Sequence, residues 1–117
     1  MRKLLLGLLA FVCIPAFASV DGEYEKRDGV LSIKENKGGV SFSLNSSVED
    51  HSCLIEGNAR VVDAHRAAYT SEDPADQCVV VFSFVGGGVK VTTGSCGGYC
   101  GMNAEGSMDG VYKKAKN

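Results

Sequence analysis

Beyond residue 19, hydrophobic and polar residues alternate with a period of two, and no 3.6-residue helical period is sustained. The clearest run is residues 79–85, VVVFSFV, followed by Gly86-Gly87-Gly88 and then Val89-Lys90-Val91-Thr92-Thr93. Two such runs joined by glycines predict a β-hairpin. A turn with an even number of residues, Gly86-Gly87 or Gly87-Gly88, places Phe82 and Phe84 on one face with Val89 and Val91. A three-residue turn would instead set Lys90 and Thr92 beside the phenylalanines, so the even turn is expected. Val79, Val81 and Val85 then form an outward apolar stripe, to be covered by a loop or a second sheet layer, or left as a partner surface.

The same alternation recurs upstream, broken by glycine and aspartate turns. Residues 23–27 and 30–35 flank Asp28-Gly29, a type I′ hairpin signal. A two-residue turn there faces Tyr24 with Ile33 and Lys26 with Leu31. That leaves Tyr24, Leu31 and Ile33 inward and Lys26 near the rim. A second turn at Lys37-Gly38 sets Ile33 against Phe42, with Val40 and Leu44 inward and Ser41 and Ser43 outward. Residues 45–50 read as a polar loop; its glycosylation-type triplet Asn45-Ser46-Ser47 is taken as a turn. Residues 53–62 put Ile55, Gly57, Ala59 and Val61 on one face and Glu56, Asn58 and Arg60 on the other. Residues 64–71 form a weaker strand with no assigned inward face, and residues 72–76, with Pro74, a loop. Residues 102–113 read as the last strand, with Met102, Ala104, Gly106, Met108 and Tyr112 inward.

About eight sequential strands result, with no room for crossover helices. The expected fold is all-β, an antiparallel meander forming a small up-and-down barrel or flattened sandwich. An even strand count lets the first and last strands pair and removes both edges. Asp21-Gly22-Glu23-Tyr24 near the start is echoed by Asp109-Gly110-Val111-Tyr112 near the end, which supports closure.

The first 18 residues change the picture of compartment. Arg2 and Lys3, the apolar run 4–12 and Ala16-Phe17-Ala18 have the order of a secretory signal peptide. The stretch 4–18 is shorter than the ~20 residues a membrane span needs. The expected organisation is a signal peptide over 1–18 and a single barrel-like domain over 19–117. Losing Arg2 and Lys3 leaves ten basic residues against 14 acidic ones, a net charge of −4. No basic run survives, so nucleic acid is not an expected partner. A periplasmic or secreted location follows, with no membrane span in the mature chain.

Four cysteines remain after export: Cys53, Cys78, Cys96 and Cys100. An even count in an oxidising compartment predicts two disulfides with three conceivable pairings. On the even-turn register Cys78 points inward and Cys96 outward, so their Cβ vectors diverge. Cys53 shares the inward parity of Ile55. Parity therefore favours Cys53–Cys78 and Cys96–Cys100.

With every cysteine paired, no thiolate is left for nucleophilic catalysis beside His51 or His65. The spacing fits no zinc pattern, and Cys96-x3-Cys100 is not a redox Cys-x-x-Cys. Glu49-Asp50 and Glu72-Asp73 sit in polar loops and read as solvated acids. No enzyme, metal or cofactor is expected. The feature suited to binding is the glycine loop of residues 94–101, where Ser95, Gly97, Gly98 and Tyr99 lie on a cysteine-pinned backbone. Such pre-organisation lowers the entropy lost on binding, and tyrosine is favoured at binding sites.

The order Gly22-x-Tyr24, Leu31-x-Ile33, Asn45-Ser46-Ser47, Cys53, Cys78, Cys96-x3-Cys100-Gly101 and Asp109-Gly110-x-Tyr112-Lys113 resembles small secreted β-proteins of Gram-negative bacteria. These are related to lysozyme-inhibitor-like envelope modules. The resemblance spans nearly the whole mature chain. It implies no catalytic residues and a protein partner whose cleft is plugged by Ser/Gly/Tyr loops. Ser95, Gly97, Gly98 and Tyr99 match in residue type; the Ser-Gly-x-x-Tyr spacing of such loops is absent. The resulting expectation is a non-enzymatic envelope protein, a monomer or weak dimer, that binds or inhibits a lysozyme or peptidoglycan hydrolase. A small hydrophobic-ligand carrier and a structural surface antigen without a discrete site are the alternatives.

Overall fold

The alternating runs become eight antiparallel strands in a computed structural model that describes residues 20–73, 75–100 and 104–116. The expectations for residues 1–18, Pro74, Gly101, Met102 and Asn103 lie outside the described residues. The strands are β1 (Gly22–Lys26), β2 (Gly29–Asn36), β3 (Gly39–Val48), β4 (His51–Asp63), β5 (Arg66–Thr70), β6 (Val79–Val85), β7 (Gly88–Gly94) and β8 (Gly110–Lys114). Each pairs with its neighbours in sequence and β8 returns to β1, closing an eight-stranded barrel. Of the two architectures expected, the barrel is the one formed. Among the described residues no helix is long and apolar enough to cross a membrane.

The interior is the inward parity of each strand. Leu31, Val40, Leu44, Val80, Phe82, Val89 and Tyr112 are fully buried, and Phe84 is half-buried against them. The long hairpin turns at Gly86-Gly87, one of the two even turns expected, setting Phe82 opposite Val91 and Phe84 opposite Val89. On its outer face Val79 and Val81 are half-buried and Val85 is exposed. The Lys37-Gly38 turn likewise sets Ile33 against Phe42.

Four expectations are corrected. The first turn is Arg27-Asp28, with Tyr24 opposite Leu31 and Lys26 opposite Gly29. Asp28 takes the left-handed backbone position (φ 62°), and Gly29 becomes a strand residue. A Cβ on Gly29 would lie 2.9 Å from the Tyr112 hydroxyl, so glycine is needed there for clearance. The shift moves the register by two, which keeps every residue on its expected face. Second, residues 45–48 are not loop: β3 runs to Val48 and turns at Glu49-Asp50. Ser46 faces inward, where its hydroxyl bonds Ser107 Oγ at 2.7 Å; that oxygen donates to Ala104 O at 2.6 Å. Third, Val61 is exposed although Ala67 opposite it is buried, and the β4–β5 register shifts just beyond it, between Val61 and Asp63. Asp63 holds that corner by accepting from His65 N and from the Arg66 guanidinium, which pulls its carboxyl below its ordinary pKa. Fourth, the last strand begins only at Gly110. Glu105–Met108 is a 3-10 turn that buries Ala104 and Met108 and leaves Gly106 exposed.

Closure uses one motif twice. In Asp21-Gly22-Glu23-Tyr24-Glu25-Lys26 and Asp109-Gly110-Val111-Tyr112-Lys113-Lys114, each aspartate accepts a backbone N–H of an adjacent segment. Asp21 takes Glu35 N at 2.7 Å and Asp109 takes Thr93 N at 2.9 Å. Each glycine has positive φ, 148° and 139°, a conformation side chains resist. Each tyrosine hydroxyl donates to the carbonyl four residues back, Val20 O at 2.7 Å and Met108 O at 2.8 Å. The lysines then cross over: Lys26 Nζ lies 5.6 Å from the Tyr112 ring centre, and Lys114 Nζ 5.3 Å from that of Tyr24. Tyr24 pairs with Lys114 and Glu25 with Lys113, so a local twofold passes between Glu25 and Lys113.

Candidate functional site

A meander places alternate connections at opposite ends of the barrel. The turns Arg27-Asp28 and Glu49-Asp50, with the described residues of 71–73, 75–78, 95–100 and 104–109, share one end, which carries the four described cysteines. Here the expected pairing is overturned: Cys53 bonds Cys100 and Cys78 bonds Cys96. The hairpin register behind the expectation is correct, so the cause lies past the strand ends. Ser95 (φ 59°) and Gln77 (φ 40°) both take left-handed backbone, which breaks the period-two alternation. Cys96 is thereby turned in rather than out and is fully buried beside Cys78. Two disulfides fit an oxidising compartment.

The glycine loop is therefore not closed on itself. Its two cysteines tie it to β4 and to the residue preceding β6, and Gly97–Tyr99 forms one 3-10 turn between those anchors. Tyr99 N donates to Cys96 O and Cys100 N to Gly97 O. Ser95, Gly97 and Gly98 are exposed; Tyr99 is half-buried. The Tyr99 hydroxyl donates to Asp76 Oδ2 at 2.5 Å, and Ser71 Oγ donates to the same oxygen at 3.1 Å. That bond to a carboxylate pushes the phenol pKa up to about 12. Asp76 is itself placed by a folded loop, with Asp76 N on Asp73 O and Ala75 N on Asp73 Oδ1.

Beside Tyr99 lies a cleft of about 380 Å³ between the middle of β4 and the 69–73 segment. Tyr69 forms its inner wall: the ring packs edge-on to Phe42 at 5.3 Å and covers Gly57, where a Cβ would come within 2.7 Å of it. Glu72 and Asp73 supply carboxylates at its exposed rim, Glu56 lines it from β4 with its own carboxylate accepting from Ser43 of β3, and no described lysine or arginine lines it. Of the four loop residues singled out from sequence, only Tyr99 lines this cleft. Glu56, Tyr69 and Asp76 were not singled out from sequence, and Glu72 and Asp73 were read only as solvated acids. The run Arg66-Ala67-Ala68-Tyr69-Thr70 carried the one usable signal, a small-x-aromatic alternation that puts Ala67 inside and Tyr69 on the same face.

His51 and His65 sit at opposite ends of β4, and the cysteines near His51 are bonded. Among the described residues no cluster of histidine, cysteine and carboxylate groups is suited to a metal. Phe42 and Phe82 pack tilted against each other in the interior, ring centres 4.8 Å apart, alongside buried Tyr112 and Met108. No protein-family model matches the chain, and no curated protein or solved structure shows significant similarity to it.

Proposed function

We propose that this chain is an exported, non-enzymatic envelope protein, periplasmic or secreted, that engages a protein partner through the disulfide end of its barrel. A lysozyme or other peptidoglycan hydrolase is the partner class to test first. The observation that carries the reading is Tyr99. Its ring is fixed by the Asp76 bond and by disulfides on both sides of its 3-10 turn, and it borders an acidic cleft. A rigid tyrosine at a concave site is the kind of residue on which binding energy concentrates. The carboxylates around it, and a mature net charge of −4, favour a basic partner. Ser95, Gly97 and Gly98 then serve as the exposed rim that lets a partner approach closely.

The test is a panel of purified lysozymes of different classes, measured for binding to the mature chain and for inhibited cell-wall clearing. Tyr99→Ala is expected to weaken binding at least about tenfold, as loss of a central tyrosine does. Ser95→Ala should change it little. Absence of both binding and inhibition at micromolar concentration across the panel rejects the hydrolase reading. A hydrophobic-ligand carrier is disfavoured by the aromatic filling of the interior, and an apolar-dye titration that saturates would restore it.

A further inference from the structure

β4 is the longest strand, 13 residues, yet β5 pairs with only its far end: Arg60 with Ala68, Val61 with Ala67 and Asp63 with Arg66. At its near end Cys53 bridges Cys100. Between these two contacts, among the described residues, no strand lies against the β5 side of β4. Val61 N donates to Gly38 O, on the β3 side. Successive strand residues turn their N–H and C=O groups to opposite edges. Glu56 and Asn58 therefore turn theirs away from β3, into the cleft, where the ladder supplies no partner. A closed barrel thus retains one short open edge, and an open edge is a template for another strand.

We propose that this cleft takes an extended segment of a partner polypeptide bearing lysine or arginine. The segment is added as a strand along residues 56–58, with a cationic side chain lodged against Tyr69 and Tyr99. Backbone pairing with Glu56 and Asn58 supplies affinity and register, while alternation sends every second side chain of the added strand inward. The inward one meets two aromatic rings, with the carboxylates of Glu72 and Asp73 at the exposed rim above them, a setting that favours a cation. An acidic segment would be repelled by the same groups. The inference rests on the protein-partner reading above and specifies the chemistry that partner must present.

The probe is an acetylated, amidated heptapeptide alternating lysine and valine, titrated into the full mature chain and followed through backbone amide NMR signals. Two control peptides replace lysine by glutamate, or keep lysine and methylate alternate backbone nitrogens. The expected result is shifts centred on Glu56, Gly57, Asn58 and Thr70, with slowed exchange of the Glu56 and Asn58 amides. The glutamate peptide should leave the spectrum unchanged, and the N-methylated peptide should bind at least about tenfold more weakly because its ladder bonds are removed. The exposed-loop variant Glu72→Gln/Asp73→Asn should weaken the lysine peptide to a similar degree. Equal response to the methylated peptide, a response to the glutamate peptide, shifts centred elsewhere, or no response at millimolar peptide each overturn the inference. Tyr99-dependent hydrolase binding with silent peptides removes strand addition alone. Peptide binding without any hydrolase binding removes the hydrolase reading and leaves the cleft.

Discussion

Replacing Cys53 and Cys100 together by alanine removes a crosslink that spans 47 residues, whereas the Cys78–Cys96 crosslink spans 18. Chain-entropy arithmetic assigns about 4 kcal/mol to the longer loop and about 3 kcal/mol to the shorter. Cys53, Cys78 and Cys96 are all fully buried, so each double variant also loses buried sulfur contacts. The difference between the variants therefore reports mainly on loop length. A domain of this size has a total stability of about 5–15 kcal/mol, so either change removes a large share. With a urea m-value of about 2 kcal/mol per molar, the unfolding midpoint should fall by about 2 M for Cys53→Ala/Cys100→Ala and about 1.5 M for Cys78→Ala/Cys96→Ala. Chemical reduction of the native protein should then unfold it. A larger loss from the Cys78–Cys96 pair would refute the loop-length reasoning. A non-reduced peptide map containing Cys53–Cys78 or Cys96–Cys100 crosslinks would refute the connectivity itself.

Other outcomes follow from single groups. The Tyr99 phenol, at about 12 in the folded chain, stays protonated where an unfolded tyrosine, at about 10, ionises. Its contribution to stability is fully present below about pH 10 and is lost as pH rises toward 12. A phenolate absorbance titration of Tyr99→Phe should lack a step near 12; losing a step near 10 instead would contradict the Asp76 bond. Tyr112→Phe strips the buried Met108 carbonyl of its donor and should cost about 1–3 kcal/mol in denaturant melts, more than Tyr24→Phe, whose bond is only partly buried. Gly39→Ala would put a Cβ 1.9 Å from Ala59 O and should cost at least about 1–3 kcal/mol, whereas Gly94→Ala meets nothing within 4 Å and should stay within about 0.5 kcal/mol.

Period-two alternation carried the fold a long way because every strand buries one face. The shared face of Phe82, Phe84, Val89 and Val91, and Ile33 against Phe42, were both readable from turn lengths alone. Even the misplaced first turn did no damage to the core, since a shift of two leaves Tyr24, Leu31 and Ile33 inward. Alternation fails wherever the chain leaves extended geometry. One left-handed residue, Ser95, was enough to invert Cys96 and with it the whole disulfide scheme. The 3-10 turn at Glu105–Met108 was hidden for a related reason: Ala104 and Met108 are buried in either conformation. The cleft was harder still. It arises where two strands stop pairing, and Glu56, Tyr69 and Tyr99 come to it from three separate stretches of sequence.

The twofold seam between β1 and β8 also bears on how a chain recognises its own end. Each half offers a tyrosine and a lysine to its opposite, so these residues would serve equally well if β1 met β1 of a second molecule. The residues on the axis do not share that symmetry. Glu25 faces Lys113 within one chain, whereas exchanged seams would set Glu25 against Glu25 and Lys113 against Lys113. Unlike charges directly across a sheet are favourable and like charges are not. One glutamate and one lysine thus make β8 rather than a second β1 the favoured partner in an otherwise palindromic closure, and like-with-like pairing of two opened barrels is discouraged by a single cross-strand pair.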